Sequence, residues 1–358
     1  MHIRLEKRQS GIALIIVLLV ITVLAILAGG FAYSMKVETK LARNASFDTE
    51  FEWLGRSGLE AAKYVLSQKA AGPQGQVDSL NEVWAGGPGT DTNDMVAAFP
   101  LSNFEVEPGK SFSVKIIDLD RKFNINMADE MILRQALTLV GVDPASHSPI
   151  MDSILDWIDV DENTRVTGVE SEHYQRLVPP YFAKNGQIDD LSELLLVNGI
   201  TPAMYWGASG GGQMAVLNRV PEASRSNFEE PMYAVGLRDL FTALSGRALN
   251  INTASAQTLQ VLPPIDENVA QAIIQRRCGP DGADGTQDDT PFRNPGEISS
   301  IPGLPPPVIQ QIGRYLTTRS TVFEVTVEAK IGNMKRTYIG TLQRGNARAI
   351  QTLTMYWQ

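Results

Sequence analysis

Cysteine is nearly absent from this sequence. Cys278 stands alone among 358 residues, so no intrachain disulfide can staple the fold and cysteine usage says nothing of the redox compartment. Histidine is scarce too: His2, His147 and His173 are scattered without metal-ligand spacing, which leaves no histidine-based metal site to read. No Gly-x-x-x-x-Gly-Lys string exists to cradle a phosphate. The string Gly207-Ala208-Ser209-Gly210-Gly211 sits in a glycine-rich run, without the strand before and helix after that a nucleophile elbow needs, and reads as a loop. Basic charge is in the minority, with 31 Lys and Arg against 40 Asp and Glu and a net charge of −9. That balance argues against nucleic acid as a partner, because phosphate binding needs a basic surface. Long apolar runs are missing as well, with one exception at the N-terminus.

That exception is Ile12–Tyr33, almost wholly apolar and about the length needed to cross a bilayer as a helix. Arg4, Lys7 and Arg8 precede it, so the leader should stay cytoplasmic and the body should lie outside. A cleaved secretory signal is one alternative, with Gly30-Phe31-Ala32 as a passable small-x-small site. The run, however, continues without a turn signal into an amphipathic pattern: Val37, Leu41, Phe47, Phe51, Leu54, Gly58, Ala61 and Val65 recur near helical spacing. Ile12 to Leu66 could be one helix of roughly 80 Å at about 1.5 Å per residue. Such a stem, apolar at one end and amphipathic at the other, suits packing in a bundle of similar stems.

Lys7-Arg8-Gln9-Ser10-Gly11 followed by Ile12-Ala13-Leu14-Ile15-Ile16 resembles the leader of type IV pilins. The resemblance implies that a prepilin peptidase cuts between Gly11 and Ile12 and that the new N-terminus is methylated. Two positions depart from the pattern. The first mature residue is Ile12 and not Phe, and the fifth is Ile16 and not Glu. In pilins that Glu is held to pair with the amine of a neighbouring subunit. An unpaired charge in a bilayer is costly, so a subunit without the Glu fits where no such neighbour exists, as at a fibre tip.

Residues 70–110 are rich in Gly, Pro and Asp and read as loops. Phe112, Val114 and Ile116 alternate as a half-buried strand. Alternation returns from Phe323 to Ile331, then a Gly332-Asn333 hairpin turn, a strand in 334–343 and another in 349–357. Between 124 and 318 the pattern is helical. The expected fold class is therefore α+β: a long pilin-like N-terminal helix packed on a small antiparallel sheet, with a large helical domain inserted after the first strand. The divisions are 1–11 leader, 12–70 stem helix, 71–123 with 319–358 as the sheet domain, and 124–247 and 248–318 as two inserted helical subdomains.

A repeat marks the two subdomains. Asn124-Ile125-Asn126-Met127-Ala128 echoes Asn250-Ile251-Asn252-Thr253-Ala254, with Asn126 and Asn252 as N-cap candidates. Helices are expected at 150–158, 267–277 and 306–317, and a short one at Leu191–Val197. The second subdomain, with Ile301-Pro302-Gly303, resembles helix-hairpin-helix modules of DNA-binding proteins. Its turns, Leu262-Pro263-Pro264-Ile265-Asp266-Glu267 and Ile301-Pro302-Gly303-Leu304-Pro305-Pro306, carry prolines that delete donors and acids that repel phosphate.

Two acidic loops are the candidate ligand sites. Asp281, Asp284, Asp288 and Asp289 crowd one glycine-containing turn, where oxygen ligands suit calcium. Asp159, Asp161, Asn163, the Arg165 carbonyl, Thr167 and Glu170 fall at the ligand positions of an EF-hand-like loop, with Thr164 where that loop wants Gly. Solvated acidic turns are the alternative for both.

In order along the chain, the pilin-like leader, the strand into Asn124-Ile125-Asn126, Asp156-Trp157-Ile158-Asp159-Val160-Asp161-Glu162, Asn250-Ile251-Asn252-Thr253-Ala254 and the terminal strands resemble one family. It is the type II secretion system minor pseudopilin family called general secretion pathway protein K. The resemblance implies an inner-membrane, single-pass protein with a periplasmic body at the tip of a pseudopilus. It also implies bound calcium; the lack of a convergent catalytic set argues against an enzyme, and the acidic body against nucleic acid. The implied partners are minor pseudopilins I and J, the major pseudopilin and prepilin peptidase. A membrane-anchored periplasmic enzyme and a DNA-uptake pseudopilin are the rival readings. Mass spectrometry of the mature chain from its native host should find Ile12 at the N-terminus; an intact Met1, or an end near Tyr33, would remove the pilin-like reading.

Overall fold

A computed structural model describes residues 10–71, 77–89, 101–210, 233–346 and 348–358. Residues 1–9 of the leader, and Gly211 of the Gly-x-Ser-x-Gly string, lie outside the described residues. The chain divides into two compact units, Met1–Arg56 and Ser57–Gln358.

The first unit holds the N-terminal part of helix α1, which spans Ser10–Ala71 as one uninterrupted element. The sequence explains its continuity: it contains no proline, and its only internal glycines before Arg56 are Gly11, Gly29, Gly30 and Gly55. From Ile12 to Phe31 its large apolar side chains are exposed, and so are Val37 and Leu41. It is the one helix among the described residues long and apolar enough to cross a membrane.

In the second unit the last turns of α1 lie on a five-stranded antiparallel sheet. Its strands are β1 Phe104–Glu107, β2 Lys110–Asp118, β7 Val322–Ile331, β8 Met334–Asn346 and β9 Ala349–Trp357, in the spatial order β1-β2-β7-β8-β9. Val325, Val327 and Ala329 of β7 turn inward with Phe112, Val114 and Ile116 of β2, and all six are buried. Gly58 is what lets the helix approach: a Cβ there would stand 2.4 Å from Cγ1 of Val327. Leu59, Ala62, Val65 and Leu66 complete the helix side of this core. The Gly332-Asn333 turn joins Ile331 to Met334 as expected, with Gly332 at φ +57°. Strand β1 falls inside the stretch expected as loops. It is four residues long and mostly exposed, too short to register as alternation.

The insertion leaves the sheet after β2 and returns at β7. It is a duplication more complete than the Asn-Ile-Asn echo suggests. Residues 188–206 and 292–310 align without a gap: Ile188 with Phe292, Glu193 with Glu297, Gly199 with Gly303 and Pro202 with Pro306. Both segments begin with a six-residue 3-10 helix, Leu191–Leu196 and Pro295–Ser300. Both then turn through a glycine at φ +85° and +93°, where a side chain would be strained. Each module closes with a short parallel strand pair, β3 Phe123–Asn124 with β4 Phe241–Thr242, and β5 Leu249–Asn250 with β6 Leu316–Thr317. The helix expected at 306–317 therefore stops early, at Gly313, because its last two residues are taken up by β6.

Asn126 and Asn252 are not N-caps. The chain makes another turn before each helix starts. The cap of α2 (Glu130–Val140) is Asp129, and the cap of helix Ala256–Leu259 is Ser255. The two asparagines bracket the backbone of the duplicated segment instead. Asn126 accepts from the Ile188 N–H (2.8 Å) and donates to the Ile188 carbonyl (3.0 Å). Asn252 does the same with Phe292, at 2.8 and 2.9 Å. A side-chain amide carries a donor and an acceptor side by side without charge and can grip a peptide unit in this two-point fashion, which explains why the residue type recurs.

Where the insertion meets the sheet, a buried polar network forms. Asp118 at the end of β2 accepts from Thr253 Oγ1 (2.6 Å) and Ser320 Oγ (2.5 Å). Asn250 Nδ2 donates to Ser320 Oγ (2.7 Å) and to the Asp78 carbonyl (3.1 Å). Arg344 of β8 and Asp78, both fully buried, form an ion pair, and the guanidinium lies 4.9 Å from the centre of the Phe323 ring. Asp120 accepts from the N–H groups of Gly246 and Thr321. Burial pushes the Asp118 carboxyl up to about 7, against the pull of its hydroxyl donors.

Candidate functional site: the acidic loops of the two modules

The two acidic segments occupy the same place in the duplicated modules. In the first, α3 (His147–Ile158) ends at Asp159 and the loop runs on toward Ile188. In the second, helix Glu267–Arg277 ends at Cys278 and a shorter loop runs to Phe292. Each loop is therefore the excursion between the helix that ends at Asp159 or Cys278 and the residue the module's asparagine brackets.

The first loop is organised by two aspartates of α3. Asp156 is wholly buried and accepts from the Arg165 N–H at 3.2–3.3 Å, while Arg165 Nε stands 3.3 Å from it. Asp152 accepts from Thr167 N–H (3.0 Å) and Oγ1 (2.7 Å). Gly168 has to be glycine, since a Cβ would lie 2.1 Å from Asp156 Oδ2. Asp161 is turned back on the Asn163 N–H (2.8 Å). Glu162 ties the loop to its return by accepting from Ser171 Oγ and Asn185 Nδ2, both at 2.9 Å. Glu170 is the outlier. It is buried, and neither carboxylate oxygen has a hydrogen-bond partner; Asp159 Oδ1 is in the same condition. Burial first, then the charges of Asp156, Asp159, Glu162 and Asp161, push Glu170 up to about 7. Asp159 is raised as well, by desolvation and by Asp161.

The second loop answers its own charge. Arg277, buried at the end of its helix, forms an ion pair with Asp284 at 2.7 Å. The same guanidinium donates to the carbonyls of Ile251 and Ala254, each at 2.8 Å. Asp284 also accepts from Cys278 Sγ (3.1 Å), and the thiol is pushed up to about 12 by burial and that carboxylate. Asp284 itself is held low by Arg277, despite its burial. Asp288 accepts from the Asp281 N–H (3.1 Å) and Thr286 Oγ1 (2.7 Å), Asp281 from the Ala283 N–H (2.8 Å), and Asp289 from the Gly285 N–H (2.8 Å). Among the described residues, no three His, Cys, Asp or Glu side chains already converge on a common point suited to a metal ion.

Of the residues expected at the first site, Asp159 and Asp161 both add to the charge that raises Glu170, whereas Asn163 meets Asp161 through its backbone N–H. Asp152 and Asp156 escape a reading confined to the loop. They precede it on α3, one turn apart, and the i, i+4 spacing of two acids on a helix face is the signal that could have found them. Gly207–Gly210 forms a 3-10 turn after helix Pro202–Trp206, not a strand-to-helix elbow. In the helix-hairpin-helix turn before Glu267, the carboxylate of Asp266 itself accepts from the Val269 N–H at 2.8 Å.

Comparison with known proteins agrees with this architecture. A family model described as "Type II secretion system (T2SS), protein K" matches residues 114–207, and one for the helix-hairpin-helix motif matches 245–317. A type II secretion system protein K of Pseudomonas aeruginosa is 24% identical over 364 residues, covering 98% of this chain and 93% of that protein. A putative type II secretion system protein K of Escherichia coli K12 is 24% identical, covering 56% of this chain and 61% of that protein. A solved structure, the GspK-GspI-GspJ complex of the enterotoxigenic Escherichia coli type 2 secretion system, matches with a TM-score of 0.64 and 17% identity. The match covers 88% of this chain and 99% of that one.

The pH dependence of stability follows from Glu170. Its folded value of about 7 lies above the ordinary 4.5. The proton is thus held more tightly in the fold, and the stability this contributes is lost as pH rises through that interval. Melts of the detergent-solubilised chain in metal-free buffer should show Tm falling from about pH 5 to about pH 8. Glu170→Gln should fall less over the same range, since Asp118 keeps its share; identical slopes would place Glu170 in solvent.

Proposed function

We propose, because the chain belongs to the type II secretion system protein K family, that it is the minor pseudopilin at the tip of a type II secretion pseudopilus. The observation that carries this reading is the pairing of an exposed apolar stem with a bulky duplicated insertion between β2 and β7. The exposed apolar stem suits first a bilayer and then a sheath of similar stems. The leader would be cut between Gly11 and Ile12, leaving the stem in the inner membrane with the body in the periplasm. The absence of Glu at position 16 suits a subunit with no neighbour above it. The two inserted subdomains, 124–247 and 248–318, would stand where a following subunit must stack, and so cap the fibre.

On this reading the work is mechanical and not catalytic. The chain assembles with minor pseudopilins I and J, as GspK is joined to GspI and GspJ in the enterotoxigenic Escherichia coli complex. That assembly nucleates the fibre, and the major pseudopilin extends it below. The fibre then serves export of folded proteins across the outer membrane. The helix-hairpin-helix scaffold acts as a packing unit, with Asp266 where a phosphate would sit.

Calcium belongs to the same proposal. The orphaned oxygens of Glu170 and Asp159 fit a hard cation, which would neutralise a buried like-charge cluster. Asp159, Asp161, Asn163 and Glu170, with Asp156 behind them, would supply the oxygens. In the second loop Asp281, Asp288 and Asp289 remain for a cation, while Asp284 is engaged by Arg277. The cation would tie each loop to its module and hold the cap rigid.

Two experiments test these readings. In a strain lacking the chain, secretion should be lost and restored by the wild-type gene, with Ile16→Glu giving no improvement. Restoration to above the wild-type level by Ile16→Glu would mean a position inside the fibre. For calcium, chelator should lower Tm and calcium should restore it, with stabilisation of about 2.7 kcal/mol at a hundredfold excess over Kd. Asp159→Ala with Glu170→Ala should lose most of that response. An unchanged Tm on chelation would leave both loops as solvated turns.

A further inference from the structure

The two edges of the sheet are built differently. Edge strands expose unpaired N–H and C=O groups, and soluble proteins guard them with charge, proline or brevity. Strand β1 is guarded: it has four residues, two of them Glu105 and Glu107, and its register breaks between them. Strand β9 is not. Ala349-Ile350-Gln351-Thr352-Leu353-Thr354-Met355-Tyr356-Trp357 has no charged residue and no proline, and it is exposed along nearly all its length. Nine residues span about 30 Å at roughly 3.3 Å each. Its residue types are those that pair well in sheets. A bulge leaves Leu353 without a partner on β8, so its side chain is exposed, and Trp357 is 63% exposed.

Two further features give this edge a direction and a chemistry. Thr354 and Tyr356 form one wall of a cleft of about 490 Å³ whose other walls include Lys122 and, from the first module, Asp189, Asp190, Tyr205, Trp206 and Arg238. A strand laid along Thr354–Trp357 would send alternate side chains toward that cleft, the arrangement by which edge-binding domains read a sequence. Cations also mark both ends of the uncharged strand. Arg348 precedes it in the turn, and the Arg336 guanidinium stacks 4.9 Å from the centre of the Trp357 ring.

We propose that the edge of β9, which carries no strand partner among the described residues, is the pairing edge for an extended segment of a neighbouring minor pseudopilin, uncharged in its middle and acidic at its ends. The proposal rests on the partner reading above and names the surface of this chain that meets the partner. Backbone pairing supplies the attachment, and the cleft beside Tyr356 selects the side chain that enters. The single native cysteine is buried, so an engineered thiol on β9 reports this edge alone.

The test is co-expression of the full chain with minor pseudopilins I and J of the same system, followed by hydrogen exchange on the purified complex. The β9 amides should exchange at least tenfold more slowly in the complex than in the isolated chain. Leu353→Lys with Tyr356→Lys should copurify at least tenfold less partner at an unchanged Tm. Thr352→Cys should cross-link to a partner through a short bismaleimide. Copurification of the wild type with unprotected β9 amides would overturn the edge assignment alone. Protection of β9 in a dimer of the isolated chain would overturn it in favour of a second copy. Failure of the wild type to copurify with either protein would sink the partner reading, and the edge assignment with it.

Discussion

Everything beyond the stem depends on a buried polar knot of Asp78, Asp118, Asp120, Asn250, Ser320 and Arg344. Apolar packing is non-directional and could join the modules to the sheet in many ways. A network of buried carboxylates, an amide and one guanidinium has few satisfied arrangements, and any loosened member leaves a desolvated charge behind. Asp118 holds Thr253 of the second module and Ser320 at the head of β7 at once. Asp120 adds the linker at Gly246 and the backbone of Thr321. The orientation of the insertion is thereby fixed at the end of β2, where that strand finishes its ladder with β7.

The modules repeat this logic on a smaller scale. Each is closed by one asparagine holding one backbone residue at both its N–H and its carbonyl, and each sends its acidic loop out from the same point. The loops have diverged in how they meet their own charge. In the second module Arg277 is a resident cation, tied by its remaining donors to Ile251 and Ala254. The first module has Arg165 at its rim, partly exposed, and leaves Glu170 inside without a partner.

Much of the fold is legible in the sequence, for physical reasons. Strict period-two alternation in 323–331 and the Gly332-Asn333 turn fix a hairpin, because a one-residue slip would turn every buried side chain outward. The helices near 150–158 and 267–277 follow from apolar periodicity. What is not legible depends on the third dimension. The duplication over 188–206 and 292–310 is hidden, since the shared features are a Glu, a Gly and a Pro spread across otherwise different side chains. Asn126 and Asn252 look like caps locally, and only their distant backbone partners reveal the bracket. Asp284 looks like one more ligand among four aspartates until the fold brings Arg277, seven residues earlier, against it.

The exit and re-entry of the insertion also make the centre of the sheet a non-local contact. Leu119 N–H donates to the Val322 carbonyl at 3.0 Å, so some two hundred residues begin and end across a single hydrogen bond. Only the pairing of β2 with β7 needs that long loop to close, while β7, β8 and β9 pair with their neighbours in sequence. The entropic cost of closure grows only with the logarithm of loop length, about 0.6 kcal/mol per doubling. Whatever lies between the two ends can therefore lengthen, shorten or duplicate with little effect on the sheet. A gate of this kind lets the inserted region grow while the sheet that carries it keeps its strand order.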